Sequence, residues 1–362
     1  MILTIMNIPQ KILSLLVVAS LFFFSSLSAV ETDPVGYVTT TAANGSDTFI
    51  GLSLSNAPDF SGSASDVTGS VVSTTSTLVA DAYNGTHYLL FTTGAQEGQW
   101  YEIADTTTNS VDLGVDVAAL GATAANEFKI IKFWTLGELF PTASTFAASP
   151  NLFLPVGTLL VNNLEGAGTN LSSLASYFYH DGTSGFKDAG WYQVGTLADA
   201  GTVQLSPETY ITVRNLSGSD FDITVSGSVP VDVIGTTVSA ETFAQDNQLV
   251  NPYPSGLSLD NSGLSAVVGA SSNLFLPGDT VLLFETTGTT TNRSSSGSYF
   301  YHDGTSGFKD AGWYQVGTLA DAGSVEIPTA GAFVVRKSAG ASAEIVEWNP
   351  PLPYTLTADD DV

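Results

Sequence analysis

The chain has no cysteine among its 362 residues, which excludes a disulfide framework, thiolate metal ligands and a thiol nucleophile together. Its fold must hold by burial and hydrogen bonding alone. Basic residues are also scarce: 9 Lys and Arg stand against 35 Asp and Glu, a formal net charge of −26. None lies between Val30 and Phe128. A phosphate backbone needs clustered Lys or Arg to release its counterions, so a nucleic-acid partner is not expected, and anionic membrane surfaces are disfavoured on the same ground. Only three histidines occur, His87, His180 and His302. The sequence contains no G-x-S-x-G elbow, H-E-x-x-H pair, phosphate loop or dinucleotide fingerprint. Carboxylates are so abundant that no single pair signals glycoside hydrolysis. The chain is therefore expected to be no enzyme, with no cofactor and no metal.

Long apolar runs are confined to the amino terminus. Residues 1–11 carry one charge, Lys11; residues 12–24 are apolar; residues 25–29 are small, ending in Ser28 and Ala29. That order is the order of a secretory signal peptide cleaved after Ala29 or Ser28. A membrane span takes about 20 apolar residues, and this run is shorter and broken by serine. The mature chain is expected to be secreted, held at a bacterial cell surface or periplasmic, without membrane insertion once the leader is gone.

What the sequence has in quantity is Gly, Ser and Thr, punctuating short runs in which apolar and polar residues alternate. No segment keeps an apolar period of 3.6. The pattern predicts an all-β fold. Strands are expected at 47–54, 88–91, 100–103 and 111–117, with the turn-rich stretches 92–99 and 105–110 between them. Residues 30–128 are expected to form a small β-barrel or compact sandwich. Two duplicated β-sandwich modules follow, 129–250 and 251–362, the second with a short acidic tail at 357–362. Helix is expected only as one or two turns at 134–140 and 262–268, plugging an open end of a sheet.

The duplication is literal in one place. Residues 176–201, SYFYHDGTSGFKDAGWYQVGTLADAG, recur letter for letter at 298–323, 122 positions later. At the same offset NLFLP at 151–155 recurs at 273–277, and is expected to be a strand. Ile211-Thr212-Val213-Arg214 aligns with Phe333-Val334-Val335-Arg336. A repeat of this length suits two tandem β-domains rather than a solenoid. Recent gene conversion or slippage in the DNA accounts for a perfect block with abrupt edges without any physical demand on its residues.

Within the block, SYFYHD and GWYQVG read as strands joined by DGTSGFKDAG. A period of two sets Tyr177 and Tyr179 against Phe178 and His180, and Trp191 and Gln193 against Tyr192 and Val194. Both faces of the hairpin thus carry aromatics. One reading is a carbohydrate platform in two copies, with Tyr177, Tyr179, His180, Trp191 and Gln193 in the first and Tyr299, Tyr301, His302, Trp313 and Gln315 in the second. The other reading makes these rings the module's core, since aromatics dominate sandwich packing. Asp181, Thr183, Gly185 and Asp188, like Asp303 and Asp310, are too few oxygens for calcium and predict a solvated turn.

Asp33-Pro34-Val35-Gly36-Tyr37-Val38, GSDTFIGLSLS at 45–55, TGAQEG at 93–98 and KFWTLGELFP at 132–141 together resemble an uncharacterised family of exported bacterial β-rich proteins that begin DPVGYV after the signal peptide. The resemblance implies an exported, β-rich chain and transfers no functional residue. The expected function is that of a secreted, non-enzymatic cell-surface or extracellular structural and adhesive protein. A carbohydrate-binding protein and a self-assembling layer or fibre subunit are the alternatives. The expected partners are extracellular polysaccharide or other surface proteins.

Overall fold

The computed structural model describes residues 34–142, 145–164, 166–285, 288 and 290–355. The expected leader and the acidic tail fall outside the described residues. Within them the chain is all-β, and every strand pairing is antiparallel.

Two strands open the described residues, β1 (Val35–Ala42) and β2 (Ser46–Gly51). Eight more follow: β3 (Pro58–Ser63), β4 (Asp66–Thr68), β5 (Val71–Ser73), β6 (His87–Phe91), β7 (Trp100–Glu102), β8 (Asp105–Thr106), β9 (Ser110–Asp112) and β10 (Glu127–Lys132). These eight make two four-stranded sheets, ordered β3-β10-β6-β7 and β4-β5-β9-β8. Val72, Leu89, Phe91, Ile103, Val111, Phe128 and Ile130 are their shared core. Of the two forms expected, the open sheets match a compact sandwich rather than a closed barrel.

The first module then continues with β11 (Trp134–Thr135), a single helical turn α1 (Leu136–Leu139), β12 (Gly157–Val161), β13 (Ala175–His180), β14 (Gly190–Gln193), β15 (Gln204–Leu205), β16 (Tyr210–Asn215) and β17 (Phe221–Ser228). Its main sheet runs β14-β13-β12-β16-β2, and β1 pairs with β17 in a separate ribbon. The β1–β17 ladder extends from Val35↔Ser228 to Ala42↔Phe221. β2 pairs with β16 from Ser46↔Asn215 to Gly51↔Tyr210. The expected boundary at 128 does not follow this pairing. β1 and β2 complete the first module, and β3–β10 is an insertion between β2 and β11.

The second module has the same plan without the insertion. It contains β18 (Thr236–Ala240), β19 (Gln245–Val250), β20 (Leu257–Ser258), two 3-10 turns (Leu259–Asn261 and Leu264–Ala266), β21 (Thr280–Leu283), β22 (Gly297–His302), β23 (Gly312–Gln315), β24 (Glu326–Ile327), β25 (Ala332–Lys337) and β26 (Glu344–Trp348). Its main sheet runs β19-β25-β21-β22-β23, with the ribbon β18–β26 opposite. It begins at β18 rather than at 251. β2 and β19 are equivalent strands 199 positions apart, yet SDTFIG and QDNQLV share only the Asp at 47 and 246. A strand needs only a suitable face, so pairing persists where sequence identity has gone.

Each five-stranded sheet buries one face against its ribbon. In the first module Leu159, Ile211, Val213, Trp191 and Ile50 meet Ala42 and Ile223, with Leu136, Leu139 and Phe140 of the α1 segment closing one end. Thr135 caps that turn by accepting from the Glu138 N–H. In the second, Val281, Val335, Phe333 and Trp313 meet Val238 and Trp348. The expected plugs are thus present as short turns. NLFLP is not a strand in either copy but a bend whose first leucine packs on the hairpin.

Candidate functional site

Neither face of the aromatic hairpin is open. Tyr177, Tyr179 and Trp191 point into the sandwich core beside Phe140 and Phe146. The Trp191 indole N–H donates to the Phe140 carbonyl at 2.9 Å, and the ring lies 4.9 Å from Phe146. The opposite face, with Phe178 and Tyr192, is covered by Leu152 of the NLFLP loop. The second copy repeats this with Phe300, Tyr314 and Leu274. Trp191 and Trp313 are each 2 % exposed and both histidines 0 %. A sugar ring stacks on an accessible ring face, so the ten residues expected as a carbohydrate platform do not make one. Tyr299 and Tyr301 are half-buried against the second core. Gln193 and Gln315 accept from Thr196 and Thr318 in their own turns.

The histidines act as clamps between two loops. His180 Nδ1 lies 2.8 Å from the Ser149 carbonyl and Nε2 lies 2.8 Å from Ser184 Oγ. A carbonyl only accepts, so Nδ1 carries the hydrogen in the neutral ring and Nε2 accepts from the serine. His302 repeats the arrangement between Ser271 and Ser306. These are the atoms of a Ser–His pair, but Ser184 Oγ already accepts from the Phe186 N–H. Asp181, the nearest acid, lies 3.8 Å from Nδ1 and accepts from the Thr183 hydroxyl and N–H, which hold its carboxyl below the usual range. The geometry ties loop 181–189 to loop 149–155.

What the clamp holds outward is apolar. Asn151 Oδ1 accepts from the N–H groups of Phe153 and Leu154, and Asn273 does the same for Phe275 and Leu276. Phe153 and Leu154 are 80 % and 74 % exposed, and both Phe275 and Leu276 are 78 % exposed. Phe186 and Phe308, in the clamped turn, are each 88 % exposed. The turn itself depends on Gly182, at φ 82°, where a β-carbon would lie 3.0 Å from the Ala189 nitrogen. Lys187 sits over the Tyr192 ring at 5.1 Å, and the Tyr192 hydroxyl donates to the Asp188 carbonyl. Each module therefore carries one preorganised apolar tip, at the sheet edge remote from β2 or β19. The repeated F-L of NLFLP was its signal, hidden because apolar pairs usually mark strands.

The modules meet through an exchange. Arg214 grips Asp47 through Nε and Nη2, both at 2.8 Å, and Arg336 grips Asp246 at 2.7 and 2.9 Å. Asn292 of the second module accepts from Arg214 and donates its N–H to Asp47, while Asn170 of the first does the same for Arg336 and Asp246. The contacts are reciprocal, as at a two-fold interface. Hydrogen bonding to the aspartates pushes both guanidiniums further up. Between the outer faces of the two main sheets a cleft of about 490 Å³ remains.

His87 bridges β6 to β3, with Nε2 2.8 Å from Asp59 and Nδ1 2.8 Å from the Thr86 hydroxyl. Among the described residues no three His, Cys, Asp or Glu side chains gather as metal ligands, and no helix is long and apolar enough to cross a membrane. Set against protein-family models, curated proteins and solved structures, the chain matches none of them.

Proposed function

We propose that this is an exported, non-enzymatic structural or adhesive protein of the cell exterior, and that its two apolar tips are its contact surface. The observation that carries the reading is the pair Phe153-Leu154 and its copy Phe275-Leu276, held out at 74–80 % exposure by the same Asn side-chain bonds in both modules. Rings and branched chains this exposed contribute nothing to their own core, and clustered exposure of that kind marks interaction surfaces. The apolar tips, two to a chain, suit attachment at two points, which multiplies weak contacts. The leader-like amino terminus and the −26 charge support an exterior location.

The test is adsorption of the mature chain to alkane-coated and hydroxyl-coated surfaces, beside a variant with serine at 153, 154, 275 and 276. The native chain is expected to adsorb to the alkane surface and the variant to lose most of that binding with its unfolding midpoint unchanged. Equal adsorption of the two proteins would sink the reading. So would turnover of a glycan or ester panel by the mature chain. A concentration-dependent oligomer of the native chain that the variant lacks would favour self-assembly through the tips.

A further inference from the structure

The inter-module cleft is reciprocal in its arginines but not in its corners. At one corner the Phe49 and Phe284 rings pack 4.6 Å apart, and the Arg293 guanidinium sits 5.8 Å from the Phe49 ring centre. The corresponding residues of the other corner are Gln248, Asn162 and Leu171. An aromatic stack with its cation is replaced there by two amides and a leucine, so the interface is filled on one side and open on the other.

The open corner contains polar atoms without protein partners. Asn162 is 4 % exposed; its Oδ1 accepts from the Tyr210 N–H, while its Nδ2 has no partner. Gln248 Oε1, buried at the atom level, has none either. A buried polar atom without a partner is destabilising, so two beside one cleft are a burden that a ligand would relieve. One is a donor and the other an acceptor. Hydroxyl groups satisfy both, because each can accept from Nδ2 or donate to Oε1.

The cleft also gathers three of the chain's nine basic residues. Arg214, Arg293 and Arg336 all line it, with Asp47, Glu285 and Asp246 as their acidic partners. Arg214 and Arg336 spend Nε and Nη2 on their aspartate and asparagine partners, and their Nη1 groups make no hydrogen bond among the described residues. Leu160, Leu282 and Val334 supply apolar wall. We propose that this corner binds a hydroxylated carboxylate of the sugar-acid class, its hydroxyls on Asn162 and Gln248 and its carboxylate on the Nη1 group of Arg336. This site is independent of the apolar tips.

The test is titration of the mature chain with D-galacturonate and, separately, D-galactose, followed by calorimetry and by the side-chain amide NMR signals of Asn162 and Gln248. Galacturonate is expected to bind one to one, about tenfold or more tighter than galactose, and to shift both amide signals. Gln248→Phe rebuilds the filled corner, and Asn162→Asp keeps the acceptor for Tyr210 while setting a negative charge against the carboxylate. Each is expected to weaken galacturonate by about tenfold or more. No saturable binding overturns the proposal, as do equal affinities for the two sugars, amide shifts confined elsewhere, or full binding by folded variants. If Gln248→Phe does not fold, Asn162→Asp and the native amide shifts decide the matter.

Discussion

Asn170 and Asn292 are the same residue in two copies, and each hydrogen-bonds the arginine of the other module: Asn170 accepts from Arg336 and Asn292 from Arg214. Each also donates its backbone N–H to the aspartate that arginine grips. Both sit in the left-handed region, at φ 55° and 52°, which asparagine tolerates better than other side chains do. A duplicated chain has thus acquired the interface of a dimer within one polypeptide.

Replacing either asparagine by alanine removes a charge-assisted acceptor and places a less tolerant residue at positive φ. Each variant is expected to lose about 1–2 kcal/mol in urea unfolding, by similar amounts because the contacts are reciprocal. No loss in either would mean that the exchange does not hold the modules together.

Gly51 lies where the backbone of the first module packs directly against the second, its N–H donating to the Ala330 carbonyl. A β-carbon there would lie 2.4 Å from Val250 Cβ, a branched position with no rotamer to escape by. Gly51→Ala is expected to cost about 1–3 kcal/mol, and a second change, Val250→Gly, to recover part of it as a positive coupling. Additive losses in the double-mutant cycle would show that the two residues do not press on one another.

Lys337 and Asp279 form a buried ion pair found only in the second module; the first has Asn215 and Gly157 at those positions. Burial alone would raise the Asp279 carboxyl. The hydrogen bonds from Lys337, Ser338 and Gly269 outweigh it and hold the carboxyl below the usual 3.8. Its contribution is therefore present above the unfolded carboxyl range and lost as pH falls through the folded value. Lys337→Met should cost about 3–5 kcal/mol at neutral pH by leaving a buried charge unpaired, with the gap narrowing below pH ~4. A gap constant across that range would count against the pairing.

Glu208 behaves oppositely. Burial pushes its carboxyl up to about 7. The folded state holds that proton more tightly than the unfolded chain, so the contribution is complete below the unfolded range near 4.5 and disappears as pH rises through about 7. Glu208→Gln should match the native chain most closely near pH 5, where the folded carboxyl is protonated and neutral, and exceed it in urea midpoint near pH 8, where only the native chain carries a buried charge. An unaltered pH dependence of the difference between the two proteins, measured at pH 5 and pH 8, would remove Glu208 as its source.

Much of the fold was legible where periodicity and repetition coincide. The short runs at 47–54, 88–91 and 100–103 mark strands that form as β2, β6 and β7, and the short helical turns appear where 134–140 and 262–268 suggested them. The insertion was illegible because β2 and β19 keep only one residue in common, Asp47 and Asp246, and that aspartate takes its meaning from an arginine far along the chain. The candidate surface was half legible. Asn151, Phe153 and Leu154 stand out as a repeat, but only the bend held by the Asn151 side chain turns the apolar pair toward solvent.

By itself the sequence determined the absence of disulfides, the acidic surface, the all-β class and the duplication at 122 residues, because composition and period are local properties of the chain. Which face of the aromatic hairpin would be exposed was left to tertiary structure, since a period of two defines two faces without saying what covers either. The ribbon of β1 and β17 covers one, and Leu152 covers the other. The literal repeat is a core and a clamp, and the surfaces that face outward are the apolar tips it holds and the cleft between the modules it builds.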